Sequence, residues 1–359
     1  MGKIKVLHLV EALGGGIYSY FVDLSHYFGD RQDIKTYIAF SDKRNEIIPD
    51  KIAQDINENI ELIKIPIKKS ISPILDSVAI YRFYKIIKSV EPDIIHLHSS
   101  KAGVIGRLSY ILYANSRVKL YYTPHGYAFL RKDISKFQRK MYWLIEYSMK
   151  KLSGGTTIAC GDTELEYSNK FGKSILVRNG VNLPNITKHL ESFSNRTLTV
   201  GILGRITFAR NPKMFNEIAE RLKELNFIWI GDGELNSTID ADNIEVTGWF
   251  PNREVGLRYL NNIDIYLQTS LWEGLPISLI EAMTLKKPIV ATNIIGNKDV
   301  VEHGVNGFLF DTVDDCVHYI NQLKDQKLRA SFGENGRLIA DKKFDFEKNL
   351  EQLSLIYLS

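Results

Sequence analysis

Two glutamates eight positions apart, Glu273 and Glu281, frame the part of this 359-residue chain best equipped for chemistry. Between them Gly274-Leu275-Pro276 reads as a turn, and Ile277 to Met283 reads as an apolar helix that carries the second carboxylate. Just upstream, Asp264-Ile265-Tyr266-Leu267-Gln268 has the pattern of a buried strand, closed by Thr269-Ser270. A strand, a tight loop and a helix in that order put the loop at the carboxyl end of a strand, where open α/β sheets bind ligands. The helix start offers unpaired N–H groups and a positive dipole end to an anion. With Glu273 in the loop and Glu281 about a turn and a half into the helix, one carboxylate can reach a sugar hydroxyl and the other a ribose. A diphosphate fits between them.

A second segment, Leu203-Gly204-Arg205-Ile206-Thr207-Phe208-Ala209-Arg210, follows another apolar strand. Gly204 permits a sharp turn, and two arginines five positions apart can converge on one diphosphate, whose oxygens match the guanidinium fork. Cations and N–H groups aimed at a departing diphosphate stabilise its charge without a metal. Each segment alone has a plain alternative, solvated carboxylates on a helix or solvated arginines on a loop. Side by side they closely resemble the donor-site signature of retaining glycosyltransferases of family 4, which have the GT-B fold. The resemblance implies that Arg205 and Arg210 clamp the diphosphate, Glu281 holds the ribose and Glu273 the sugar hydroxyls. Two positions depart from it. Arg210 stands where lysine is usual, and Pro276 stands where glycine is commoner, which removes one N–H donor. Proline suits the first turn of a helix, and Leu275 and Ile277 keep their N–H groups. Gly231-Asp232-Gly233-Glu234 and Gly248-Trp249-Phe250 follow the next strands. By the resemblance Gly231 and Phe250 flank the base; simple glycine turns account for both loops equally well.

The first half of the chain supplies three further strand-end motifs. Gly14-Gly15-Gly16 opens a helix without the G-x-G-x-x-G fingerprint, so a dinucleotide site is not supported. Three glycines exceed what a turn requires, and close approach of Gly15 and Gly16 to a ligand is expected. In Thr123-Pro124-His125-Gly126-Tyr127, His125 resembles the family's active-site histidine, which contacts the donor sugar. His96-Leu97-His98-Ser99-Ser100-Lys101-Ala102-Gly103 resembles a stretch of capsule, exopolysaccharide and O-antigen transferases within the family. Ser99 or Ser100 is expected to cap the next helix, and Ser99, Lys101 and His125 are the expected acceptor contacts, Lys101 through a phosphate. A zinc site on His96 and His98 is not expected, because no third ligand is near in sequence. Asp240-Ala241-Asp242 reads as a solvated turn rather than a metal motif. No metal and no cofactor are expected.

These motifs need elements to position them. Strands are expected at Lys5–Val10, Lys35–Phe40, Ile60–Ile65, Asp93–His98, Lys119–Thr123 and Thr156–Cys160, with helices near Tyr18–Phe28, Ala79–Ser89, 101–114 and Ile134–Leu152. A second series has strands at Leu198–Leu203, Phe227–Ile230, 243–247, 263–267 and 288–292, and helices at 212–225, 252–260 and 277–285. Alternating strands and helices indicate parallel, doubly wound α/β sheets. Polar, aperiodic Asn179–Arg196 reads as a linker. The expected architecture is therefore GT-B: two Rossmann-like domains, 1–182 and 197–343, facing a cleft. By the resemblance the terminal helix, 344–359, crosses back onto the first domain.

Composition sets the outer limits. At 44% hydrophobic and 25% charged residues the chain is of ordinary globular type, and its length favours two domains. Cys160 and Cys316 match no disulfide or zinc pattern and fit a reduced cytoplasmic protein. Lys3–Val10 is too short for a signal peptide, and no run is long enough to span a membrane. A net charge of +4 gives no support for nucleic acid as a partner. Two basic, aromatic clusters, Lys64–Lys88 and Lys132–Lys151, fit either an anionic membrane surface or amphipathic core helices with solvated lysines. The expected function is transfer of a hexose or N-acetylhexosamine from a UDP-linked nucleotide sugar to a lipid-diphosphate-linked oligosaccharide in bacterial surface polysaccharide synthesis, at the inner face of the membrane. A GT-B sugar-nucleotide epimerase and a catalytically silent sugar-nucleotide-binding protein are the alternatives.

Overall fold

The computed structural model describes residues 2–43, 49–68, 70–182 and 197–359. It divides into two units: Met1–Leu130, Ile134–Asn179 and Glu347–Ser359 form the first, and Arg131–Asp133 with Gly180–Phe346 the second. Most of the expected linker, 183–196, lies outside the described residues, as does Lys69 of the first basic cluster.

The first unit is built on seven parallel strands: β1 (Ile4–Ala12), β2 (Ile34–Ser41), β3 (Glu61–Lys64), β4 (Ile94–His98), β5 (Lys119–Thr123), β6 (Thr156–Ala159) and β7 (Ser174–Leu176). Their order is β3-β2-β1-β4-β5-β6-β7. β1 and β4 are buried almost throughout, the mark of a sheet covered on both faces. The order reverses direction between β1 and β4, so the switch point lies between the Gly14–Gly16 loop and the His98–Lys101 turn. The second unit has β8 (Thr199–Leu203), β9 (Asn226–Ile230), β10 (Ile244–Val246), β11 (Ile265–Gln268), β12 (Ile289–Thr292) and β13 (Gly307–Phe310), ordered β10-β9-β8-β11-β12-β13. Its switch point falls between β8 and β11, the strands that precede the Gly204–Arg210 and Glu273 loops.

Several elements differ from their sequence pattern for identifiable reasons. The helix expected from Ala79 begins at Pro73, with Ser72 at its N-cap and the proline in its first turn. The helix from Pro212 stops at Arg221, because Asn243 Nδ2 donates to the carbonyls of Ala219, Leu222 and Leu225 and ends the helical ladder. The last helix starts at Phe346 rather than Phe344, since Asp345 is drawn into a parallel bridge with Val181. Helix Asp162–Asn169 and strands β7 and β13 are too short to show a period of their own.

Helix Lys136–Ser153 opens with a reciprocal cap between Ser135 and Gln138. Its inward residues are charged. Glu146 Oε2 accepts from Arg107 Nη1 at 2.9 Å and Oε1 from the Tyr122 hydroxyl at 2.9 Å, while the Arg107 guanidinium lies 3.8 Å over the Tyr122 ring. Lys150 donates to the carbonyls of Gly155 and Lys173 and to Thr157 Oγ1. Its exposed residues mix lysines and Arg139 with large apolar side chains: Phe137 is 72% exposed and Leu144 55%. Arg107 and Glu146 are both almost fully buried, so removing one partner strands the other's charge. Arg107→Met is expected to cost about 3–5 kcal/mol in urea unfolding, and Arg107→Met with Glu146→Leu to recover most of that loss.

Candidate functional site

In the second unit the carboxyl ends of β8, β9, β11 and β12 bring four loops together. A side chain at Gly231 (φ +134°) would meet the Gly204 carbonyl oxygen at 2.5 Å, so these two loops approach backbone to backbone. A side chain at Gly296 (φ +85°) would meet the Gly274 carbonyl oxygen at 2.4 Å and Glu273 Cβ at 2.9 Å. The Arg210 guanidinium lies over Gly204, where an added Cβ would sit 3.3 Å from Cζ. Arg210 is further fixed through its carbonyl, which accepts from Thr269 Oγ1 at 2.7 Å. Its Nη1 stands 3.3 Å from Glu273 Oε1, at an angle that makes an ion pair but no hydrogen bond. The same oxygen accepts from Ser270 Oγ at 2.7 Å and Gln268 Nε2 at 3.0 Å. Arg205 follows Gly204 directly and is half-buried.

The short helix after the loop is Ile277–Thr284, with Pro276 at its N-cap and the side chains of Leu275 and Ile277 buried. Leu275 and Ile277 flank the helix start, where N–H groups have no intrahelical acceptor. Glu281 is 5% exposed, and its Oε1 accepts from Arg253 Nε at 2.8 Å and pairs with Nη2 at 2.7 Å. Arg253 begins helix Arg253–Asn261, which Asn252 caps, and Phe250 rests against Gly256 of that helix. Asp240 belongs to a turn held by Asn216, which donates to Asp240 Oδ1 and accepts from the N–H groups of Asp240 and Ala241.

In the first unit His125 sits at the end of β5 with a left-handed backbone (φ 51°), and Gly126 N–H donates to Glu164 Oε1 at 2.7 Å. Strained backbone of this kind persists where the surroundings over-determine it. Behind His125 stand His98, His8 and His96. His98 Nδ1 lies 3.0 Å from His125 Nε2, and His98 Nε2 lies 3.0 Å from His8 Nδ1. His96 bonds the Tyr357 hydroxyl through Nδ1 and Thr123 Oγ1 through Nε2. The expectation that His96 and His98 lack a third ligand is corrected in space. His8, on the neighbouring strand, completes a trio whose nitrogens lie within 4.8 Å of one another. The donor set nevertheless fits a metal poorly. The facing nitrogens of His8 and His98 are committed to each other, both nitrogens of His96 are taken, and the neighbours are the rings of Phe21, Tyr20 and Tyr357.

Two expectations at the start of helix Ser100–Tyr113 change. Ser99 occupies the N-cap, but at φ 74° it makes no cap bond; capping needs an extended N-cap. Ser99 Oγ is buried with no hydrogen-bond partner among the described residues, and Ser100 Oγ accepts from Ala128 N–H instead. Lys101 Nζ is held by Asp76 at 2.5 Å and by the Ser70 carbonyl, so an acceptor phosphate there would compete with a carboxylate. Gly15 takes φ +57° with open space around it.

The comparisons with known proteins agree with this geometry. One family model, described as Glycosyltransferase Family 4, matches residues 14–184, and another, Glycosyl transferases group 1, matches residues 191–339. The chain belongs to this glycosyltransferase family. The enzyme is 26% identical, over 81% of each chain, to the Escherichia coli UDP-Gal:alpha-D-GlcNAc-diphosphoundecaprenol alpha-1,3-galactosyltransferase. It is 24% identical to the Staphylococcus aureus capsular polysaccharide biosynthesis glycosyltransferase CapM, over 82% of this chain and 83% of that one. Its fold matches Anabaena HepE, crystallised with UDP and glucose, at TM-score 0.78 and 19% identity over 99% and 100% of the two chains. The sucrose-phosphate synthase of Thermosynechococcus elongatus matches at TM-score 0.80 and 14% identity, over 99% of this chain and 98% of that one. The enzyme's fold is GT-B.

Sequence reasoning missed Gln268, Arg253, Gly296, His8 and Asn179. Gln268 carried a signal, a polar residue ending an apolar strand; the others are distant in sequence from the motifs they touch. Burial drives the imidazoles neutral: His8 is lowered to about 3 and His125 to about 4, while His96 and His98 fall well below the usual range. The unfolded chain therefore takes up protons below pH 6.5 that the folded enzyme refuses. Stability is full above that pH and falls on acidification toward about pH 4, by about 1.4 kcal/mol per unit for each histidine. In urea unfolding at a series of pH values, His8→Leu should remove one proton's share of that slope.

Proposed function

We propose that the enzyme is a retaining, metal-independent transferase. It moves a sugar from a uridine-diphosphate donor to a lipid-diphosphate-linked oligosaccharide of a bacterial surface polysaccharide. The observation that carries this reading is the Arg210–Glu273 pair at the β8/β11 switch point, backed by Gly204 and by the helix start at Leu275–Ile277. Arg205 and Arg210, with those N–H groups, hold the diphosphate and stabilise it as it leaves. Among the described residues Gln268, Ser270 and Arg210 all engage Glu273 through Oε1, which leaves Oε2 for sugar hydroxyls, while Glu281, steadied by Arg253, takes the ribose. Gly231 and Phe250 border the base. The bond from the sugar's anomeric carbon to the diphosphate breaks as the acceptor oxygen bonds on the same face. The acceptor proton passes to a diphosphate oxygen, so no separate base is needed. The Escherichia coli relative, named for a UDP-sugar donor and a lipid-diphosphate acceptor, supports both substrate classes.

An anionic membrane surface is the second part of the reading. Helix Ser100–Tyr113 packs between helices Pro73–Val90 and Lys136–Ser153. The outer faces of this trio expose Ile74, Tyr81, Leu112, Phe137, Met141 and Leu144, beside Lys85, Lys136 and Lys140. Exposed apolar side chains flanked by lysines suit peripheral docking at headgroup level. No helix among the described residues is long and apolar enough to cross a membrane.

By calorimetry, UDP should bind, and Arg205→Ala should weaken that binding by roughly 1–3 kcal/mol, the loss of a charged hydrogen bond. Failure of UDP to bind, with GDP binding instead, would overturn the uridine assignment. Isomerised sugar nucleotide without transfer would favour an epimerase. In sedimentation with vesicles containing anionic lipid, Phe137→Glu/Leu144→Glu should abolish binding while leaving UDP affinity unchanged.

A further inference from the structure

The mechanism above uses none of the four clustered histidines, of which His125 is the outermost. A neutral imidazole carries one N–H and one bare nitrogen, so a row of imidazoles bonded nitrogen to nitrogen has a direction. Asn179 Nδ2 faces His125 Nδ1 at 3.4 Å, His125 Nε2 faces His98 Nδ1 at 3.0 Å, and His98 Nε2 faces His8 Nδ1 at 3.0 Å. The row ends at His8 Nε2, a buried nitrogen with no partner among the described residues.

We propose that Asn179, His98 and His8 are positioning residues that fix His125 in its Nε2–H form, so that Nδ1 carries the acceptor lone pair, held by the Asn179 amide until a substrate hydroxyl replaces it as donor. The Asn179 amide donates to His125 Nδ1, which leaves the proton on Nε2. That proton is donated to His98 Nδ1, and His98 Nε2–H is donated in turn to His8 Nδ1. At 3.4 Å the Asn179 contact is long, and His125 is half-buried, so Nδ1 is the nitrogen a hydroxyl can engage. Stacking reinforces the row: the His98 and His125 rings lie 5.3 Å apart at 18°, and His8 and His98 5.2 Å apart at 29°. The other groups around His125 are the Tyr20 ring at 5.2 Å and the Glu164 carboxylate on Gly126 N–H, with His96 and Tyr357 behind His98. The assignment of the hydroxyl to a sugar rests on the proposed function; the tautomer does not.

The test is long-range 1H–15N spectroscopy of full-length enzyme with labelled histidine, from about pH 5.5 to 8, spanning the ordinary histidine value. The wild type should show His125 protonated on Nε2 alone and not titrating in this range. His98→Phe should release it to a mixture of Nδ1–H and Nε2–H tautomers, still neutral across this range because the burial that lowers its pKa is kept. Asn179→Asp, which places an acceptor on Nδ1, should reverse the row and move the proton to Nδ1; this variant decides the matter if His98→Phe does not fold. A wild-type tautomer mixture, shifts unchanged by His98→Phe, or stoichiometric zinc in the purified enzyme would each overturn the proposal. His98→Phe should lower kcat roughly ten- to a hundredfold, the range for groups that orient a functional imidazole, with UDP affinity unchanged. Loss of UDP binding in the wild type would sink the proposed function and leave the tautomer assignment standing.

Discussion

Parallel pairing of strands is the constraint on which the rest depends. A parallel sheet sends every strand's carboxyl end to one edge, and helices must cross back over its faces before the next strand begins. The second unit uses that edge to collect the Gly204, Gly231, Glu273 and Gly296 loops from four strands spread over nearly a hundred residues of sequence. The approach of these loops is limited by backbone rather than side chains: at Gly231 and Gly296 even a methyl group would strike a neighbouring carbonyl. The glycines therefore let the loops approach, and with them Arg210 and Glu273.

Charge is placed with equal economy. The Arg210–Glu273 and Arg253–Glu281 pairs hold cation and carboxylate together at the sheet edge, partly screened from water. Within each pair the partners order one another, so the proposed donor contacts are set before a substrate arrives, which is what electrostatic stabilisation of a leaving group requires. Arg107–Glu146 has a different task. It lies in the body of the first unit, and it lets helix Lys136–Ser153 bury Glu146 while large apolar side chains such as Phe137 and Leu144 stay exposed beside its lysines.

The first unit also stores a polar row inside an apolar layer. Its histidines stay neutral because burial disfavours their charged form. Neutral imidazoles are both donor and acceptor, so they can satisfy one another where lysine or aspartate could not.

The sequence alone determined the fold and the core of the proposed donor site. Alternating strands and helices require parallel sheets, and the Glu273–Glu281 and Gly204–Arg210 motifs are each local, fixed by one strand-to-loop turn. Gly204, Arg210 and Glu273 meet because topology leaves their loops no other edge. The tertiary structure decided what depends on pairing between distant segments. His8 joins His98 from a strand ninety residues away, Arg253 reaches Glu281 from another helix, and Lys101 is claimed by Asp76. The face that helix Lys136–Ser153 buries was likewise undecidable from its periodicity, since charged and apolar residues alternate at the same spacing. Only the partners Arg107 and Tyr122, supplied by a different helix and strand, turn its charges inward.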